Sequence, residues 1–243
     1  MRLHRFYIDA GENIDFFSVG KTFSVISPAH IHQWRDVFRF KTGDEIIVFS
    51  SINPHQYKAR FIELLRNTAS LEIVEKLPAI AGPLREITLY TALIKKERYE
   101  WMVEKATEIG VAHFCPLLSE RSEIKNIKSD RIKKIIIEAT EQSGWSTVPT
   151  FHEPITLATA LQQAKNPIVC DVTEPVSFEK NNAIGTTSDI FIGPEGGWSL
   201  EERELFNKHG VPKISLGHQT LRAETAAIAV ASLILLMPVF PKI

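Results

Sequence analysis

One stretch constrains this chain more than any other, because it writes the same local pattern twice in succession. Between Asp189 and Met237 a β-branched and aromatic run (Ile190, Phe191, Ile192) stops at Gly193-Pro194, and the pair Gly196-Gly197 follows. Ser199 then stands three residues before Glu202, the capping-box spacing, which predicts a helix ending near Gly210. A second short run, Lys213 to Leu216, stops at Gly217, and a long alanine-rich helix is expected to begin near Arg222. Strand, glycine loop and helix, repeated, belong to a parallel α/β sheet, in which ligands sit at the carboxyl ends of strands against such loops.

The two loops differ in how much they suggest. Glycine after a strand is often only a turn, so the segment Gly193 to Gly197 is open to both readings. The second loop carries charge: Arg222 and Glu224 flank the start of an otherwise almost wholly apolar helix. A cation at a helix N-terminus opposes the macrodipole and needs a local anion or a ligand. The structural alternative is an ion pair of Arg222 with Glu195 or Glu224.

The rest of the chain divides by pattern. Residues 1 to about 76 offer short strand candidates at Arg2–Asp9, Thr22–Ile26, Glu45–Ser50 and Gln56–Leu64, with a turn at 41–44, which together suggest a small β-barrel. Leu77 to Leu84, with Pro78, Gly82 and Pro83, reads as a linker. From Arg85 strands and helices alternate: strand Ile87–Leu93, helix Arg98–Ile109, strand Ala112–Leu118, helix Asp130–Ser143 with Asp130 as N-cap, and strand Ile168–Val172. Lys180–Gly185 and Thr186–Ser188 read as loop. The expected division is therefore a domain over 1–76 and an α/β domain over 85–243.

Composition excludes several classes. The 243 residues are 44% hydrophobic and 23% charged, ordinary for a globular chain. The opening MRLHRFYIDAG has no apolar core of signal-peptide length, and the apolar run Ala226–Met237, stopped by Pro238, is shorter than the ~20 residues of a membrane span. Cys115 and Cys170, both in strand-like runs, suggest reduced, buried thiols in a cytoplasmic protein, and no His or Cys spacing suggests a metal. The net charge is −1, yet Arg121, Lys125, Lys128, Arg131, Lys133 and Lys134 crowd fourteen residues. Phosphate contacts need local rather than total positive charge, so the patch permits RNA binding; a solvated helix face is the commoner cause of such a run.

The motif pair IGPEGGWSLEE (192–202) and LGHQTLRAETA (216–226) resembles the signature of the RsmE family, small-subunit ribosomal RNA methyltransferases of the knotted SPOUT superfamily that act on uridine N3. HRFYI and HQWRDVFRFKTGDEIIVF (32–49) are similar to the family's N-terminal domain, and ALIKKERYEWMVEKATEIGV (92–111), PLLSERS (116–122) and EATEQSG (138–144) extend the likeness over nearly the whole chain. The chain departs from the family at Trp145 and Gln219, where arginine is usual.

The resemblance implies a PUA-like RNA-binding β-barrel followed by a SPOUT α/β methyltransferase domain with a C-terminal trefoil knot. It implies S-adenosyl-L-methionine as cofactor, 16S ribosomal RNA or the small subunit as partner, and a homodimer through the knotted domain. It also supplies candidate residues. For the cofactor these are Ile192, Gly193, Pro194, Glu195, Gly196, Leu216, Gly217, Leu221, Glu224 and Thr225. The glycine-loop backbone would read the flat adenine edge, and Ile192, Leu216 and Leu221 would flank the ring. Arg222 is the catalytic candidate, a cation that favours the uracil anion. Arg5, Arg39, Lys41, Lys95, Arg98 and Arg121 are RNA-contact candidates. Two other readings stay open: a SPOUT relative that modifies a ribose 2′-OH or another base, and a non-catalytic RNA-binding assembly protein.

Overall fold

The computed structural model describes residues 3–9, 17–51, 53–78, 80, 82–171 and 186–236. Arg2, Val172, the loop expected over Lys180–Gly185, and Met237 with Pro238 lie outside them. The chain forms two compact units, Met1–Gly82 with Gly144–Val148, and Pro83–Ser143 with Pro149–Ile243.

In the first unit, β1 (Arg5–Tyr7), β2 (Thr22–Val25), β3 (Glu45–Ser50), β4 (Asn53–Leu64) and β5 (Ala69–Leu77) form one sheet in the order β1-β3-β4-β5-β2. β1 runs parallel to β3, and the other pairs are antiparallel. Residues alternate faces along a strand, so Ala59 and Phe61 of β4 and Ala69, Leu71 and Ile73 of β5 all enter the core. Two elements go beyond the sequence reading. β5 occupies the residues just before the expected linker and includes its first residue, Leu77. Helix α1 (Pro28–His32) runs directly into a π-helical turn, Gln33–Val37, which delivers Trp34 to the centre of the core, edge-on to Phe6 and Phe61. Arg39, just beyond that turn, has φ of 57°, a left-handed conformation that costs a non-glycine residue on the order of 1–3 kcal/mol.

The second unit is a parallel sheet between helices. Its strands are β6 (Glu86–Ala92), β7 (His113–Leu118), β8 (Thr150–Phe151), β9 (Ile155–Thr156), β10 (Pro167–Cys170), β11 (Thr187–Ile192) and β12 (Lys213–Ile214). The order is β12-β10-β11-β6-β7-β8, with β9 also on β7, and every pair is parallel. Helices α2 (Lys96–Ile109), α3 (Ser129–Ser143) and α6 (Ala223–Leu236) pack together, and α6 lies on β6 and β11. The buried Thr91 hydroxyl of β6 donates to Tyr99 of α2 on this face. Helices α4 (Leu157–Gln163) and α5 (Leu200–Lys208) share a core with Tyr90, Val169 and Phe191, which fill the opposite face.

Three expectations need correction here. α3 begins at Ser129, so Asp130 sits exposed in the first turn, where a carboxylate suits the helix dipole, and is not the N-cap. Thr187 and Ser188 are not loop but the first residues of β11. Thr187 pairs with Glu86 and Ser188 with Ile87, and the Asn166 amide donates to the Thr187 hydroxyl at 2.8 Å. The polar side chain of Thr187 is thus explained by a hydrogen bond that spacing does not reveal, whereas the Ser188 hydroxyl is buried without a partner among the described residues. Of the expected strand Ile168–Val172, β10 ends at Cys170 and Asp171 already lies beyond it.

Candidate functional site

β12, β10 and β11 are adjacent in the sheet and end side by side, at Ile214, Cys170 and Ile192. Their carboxyl ends and the two glycine loops that follow β11 and β12 enclose a pocket of about 130 Å³, roughly ten times the space a single buried water needs. Of the cofactor candidates taken from the sequence, Ile192, Gly193, Pro194, Glu195, Leu216 and Leu221 line it. Gly196, Gly217, Glu224 and Thr225 sit next to lining residues. Arg222 stands exposed between the lining residues Leu221 and Ala223.

The first loop is built to hold still. The Ser199 hydroxyl accepts from the Glu202 backbone N–H at 3.3 Å, and the Glu202 carboxylate accepts from the Ser199 N–H at 2.9 Å, closing the capping box. The other oxygen of Glu202 accepts from the Glu120 N–H at 3.0 Å, which ties the loop after β7 to the start of α5. Arg121 of that same loop donates to the Gly196 carbonyl at 3.0 Å. Gly197 has φ of 69°, a conformation that a side chain would strain. At Gly193 the reason for glycine is space: an added Cβ would lie 3.0 Å from the Trp198 indole, which packs against Phe206 at 4.9 Å.

The second loop has a lighter frame. The Ser215 hydroxyl donates to the Gly217 carbonyl at 2.7 Å and accepts from the Gly217 N–H at 3.3 Å. Beyond it, Gly217 to Thr220 and Arg222 are exposed.

The electrostatics correct one expectation from the sequence. Neither Glu195 nor Glu224 pairs with Arg222, which makes no ion pair among the described residues. Arg98, in the first turn of α2, pairs with both: with Glu195, and through Nε with Glu224 at 3.8 Å. A cation at a helix start is indeed held by anions here, but that cation is Arg98. A second pair joins Asp171 to Arg203 at 3.7 Å, and both line the pocket.

Sequence reasoning did not assign Cys170, Asp171, Trp198, Arg203, Ser215, Gln219 or Thr220 to the pocket. For Cys170 and Asp171 a signal existed, because they lie near the carboxyl end of the expected strand Ile168–Val172 and such ends line ligand sites. Burial and the Asp171 charge push the Cys170 thiol up to about 12, so it is no thiolate nucleophile near neutral pH.

The RNA-contact candidates separate into engaged and free side chains. Arg5 donates to Gln56 and, at 2.8 Å, to the Trp145 carbonyl, and its guanidinium lies 5.2 Å from the Phe49 ring centroid. Arg98 and Arg121 are bonded as described above. Arg39, Lys41 and Lys95 expose side chains with no ion pair among the described residues. Among those residues no group of three His, Cys, Asp or Glu side chains is arranged to hold a metal, and no helix is long and apolar enough to cross a membrane.

Residues 81–235 match the RNA methyltransferase domain family. The chain is 29% identical to the ribosomal RNA small subunit methyltransferase E of Rickettsia conorii, over 94% of this chain and 93% of the relative. It is 33% identical to the protein of that name from Aquifex aeolicus, over 68% of this chain and 75% of the relative. Its fold superposes with a TM-score of 0.86 on the crystal structure of the Neisseria gonorrhoeae ribosomal RNA small subunit methyltransferase E bound to S-adenosyl methionine, at 26% identity, covering 96% of this chain and 97% of that one. The two glycine loops that frame the pocket both fall inside the matched domain, and the chain belongs to the ribosomal RNA small subunit methyltransferase E family of RNA methyltransferases.

Proposed function

We propose that this protein methylates N3 of a uridine in 16S ribosomal RNA of the small subunit, with S-adenosyl-L-methionine as donor. The observation that carries the reading is the pocket itself: the two motif-bearing loops converge on one cavity at the ends of three adjacent parallel strands. Its walls fit the cofactor. Ile192, Leu216, Leu221 and Trp198 offer apolar surface for a flat ring, and the loop backbone offers donors and acceptors for its edge. Asp171 and Glu195 also line the pocket, each held by an arginine, Arg203 and Arg98.

When bound, S-adenosyl-L-methionine supplies an electrophilic methyl group on a positively charged sulfur. The protein's part is to place the uracil in line with that methyl and to favour the N3 anion. Arg222 is free of carboxylate partners among the described residues, so its guanidinium is available to the uracil oxygens, where negative charge develops. Gly193, Pro194, Gly196, Gly217, Glu224 and Thr225 complete the cofactor site in this reading. Arg39, Lys41 and Lys95 are its best RNA contacts, because Arg5, Arg98 and Arg121 would each have to give up an internal partner.

The same reading extends to the whole chain. Residues 1–76, the bulk of the first unit, are in this reading a PUA-like RNA-binding domain. Residues 85–243, apart from the 144–148 segment that packs with the first unit, are a SPOUT domain with a C-terminal trefoil knot, through which the cytoplasmic protein forms a homodimer. Nucleoside mass spectrometry of small-subunit RNA from cells lacking the protein tests the reaction. Loss of 3-methyluridine, restored by purified protein and S-adenosyl-L-methionine, is the expected result. Loss of a different methylated nucleoside would assign another target, and no change in any would leave a protein that binds RNA without modifying it.

A further inference from the structure

We propose that Arg98 is a positioning residue that fixes both glycine loops at once. It stands in the first turn of α2, where a cation opposes the helix dipole and is held only at a cost unless anions lie close. Two do: Glu195, on the rim of the pocket in the first loop, and Glu224, in the first turn of α6 behind the second loop. These carboxylates come from segments separated by the whole of α5 and β12, and Arg98 is the only cation paired with either among the described residues.

The pairing is consequential because Glu224 is 7% exposed and one of its oxygens, Oε2, is buried without a hydrogen-bond partner. A buried carboxylate that loses its cation is left with an uncompensated charge. Without Arg98, Glu224 and Glu195 would also face each other unshielded, and the relief open to them is for one loop to move away. A guanidinium is well shaped for this double pairing. Its planar fork presents several donors in fixed directions, so one side chain can serve two carboxylates, whereas an ammonium acts as a point charge. Arg98 thereby couples the first loop, the second loop and α2 into one frame, and leaves Arg222 without an ion pair among the described residues.

The loop-fixing role concerns the protein alone; its effect on S-adenosyl-L-methionine affinity rests on the function proposed above. Hydrogen exchange on the ligand-free protein separates the two. Arg98→Met is expected to speed exchange at residues 193–199 and at 221–227, while β7 and the second half of α3 stay as protected as in the wild type. Arg98→Lys is expected to restore protection at one of the two segments and not both. Calorimetry should then show S-adenosyl-L-methionine binding to Arg98→Met weakened about tenfold or more, with affinity for small-subunit RNA, measured without cofactor, unchanged. In a double-mutant cycle the loss in Arg98→Met and in Glu195→Gln should be less than additive.

Unchanged exchange at both segments would overturn the proposal. So would faster exchange spread over the control elements, which would make Arg98 a general fold contact. A fall in RNA affinity with both loops still protected would make it an RNA contact instead. If the wild type binds no S-adenosyl-L-methionine, the proposed function fails and the exchange result still decides the role of Arg98.

Discussion

The two glycine loops follow parallel strands of one sheet and line one pocket, yet they are held very differently. The first is fastened by a capping box, by Glu202 to Glu120, by Arg121 to Gly196 and by Arg98 to Glu195. The second is folded on itself by Ser215 and held from behind by the longer Arg98–Glu224 pair at 3.8 Å, and it leaves Gly217 to Thr220 and Arg222 exposed. The difference teaches that similar local sequence, strand then glycine then helix, does not set local rigidity; distant partners do. A fixed wall opposite a lighter one, with Arg222 exposed and without an ion pair among the described residues, suits a site in which both loops line one pocket and the arginine is left for a further ligand.

That contrast can be broken by exchanging where damage appears. The largest effect is expected from Arg222→Ala, which should lower turnover about 100-fold, as loss of a charge-stabilising donor does, and leave the melting temperature unchanged because the side chain is exposed. Turnover assays beside thermal denaturation check both halves. Glu202→Ala should behave oppositely. It removes the capping box and strands the Glu120 N–H, so it should cost about 2–3 kcal/mol in urea denaturation. A loss below about 0.5 kcal/mol, the scale of an ordinary surface substitution, would show that the first loop is not held as described.

Smaller effects sharpen the picture within each loop. Gly193→Ala pushes a methyl against the Trp198 ring and should cost about 1–2 kcal/mol, and it should weaken S-adenosyl-L-methionine in calorimetry because the displaced ring is part of the pocket wall. Ser215→Ala removes one exchange of hydrogen bonds in the second loop and should cost only about 0.5–1 kcal/mol. If Ser215→Ala proved more damaging than Gly193→Ala, the second loop would be the stiffer of the two.

Much of this organisation was readable from residues alone. β3 matches its expected bounds, and α2, α3, α5, β6 and β7 lie close to theirs, because each shows a clear period or a cap such as Ser199 with Glu202, whereas β11 starts three residues before the expected run at Ile190. β5 was missed although Ala69, Leu71 and Ile73 alternate inward, since Asn67-Thr68 before it and Pro78 after it make the stretch look like a connection. α1 is a single turn starting at Pro28, and α4 is seven residues, too short for a helical period to show. At the site, Ile192 to Glu195 were legible from the motif. The partners of Arg98 were not, because they lie 97 and 126 residues away in sequence and only the tertiary fold, which packs α2 on the α6 that carries Glu224, brings them near.

Internal partners also occupy much of the basic run of 121–134. Of its six cations, Arg121 serves the Gly196 carbonyl, Lys125 the carbonyls of Ser119 and Glu120, and Arg131 the Glu100 carboxylate. Lys128, Lys133 and Lys134 remain exposed without such partners among the described residues. Only cations that meet phosphates displace condensed counterions, at about 0.7 ion per contact on single strands. The salt dependence of RNA binding through this run should therefore register about two released ions rather than about four. A plot of log affinity against log salt would count the lysines that the fold has left unspent.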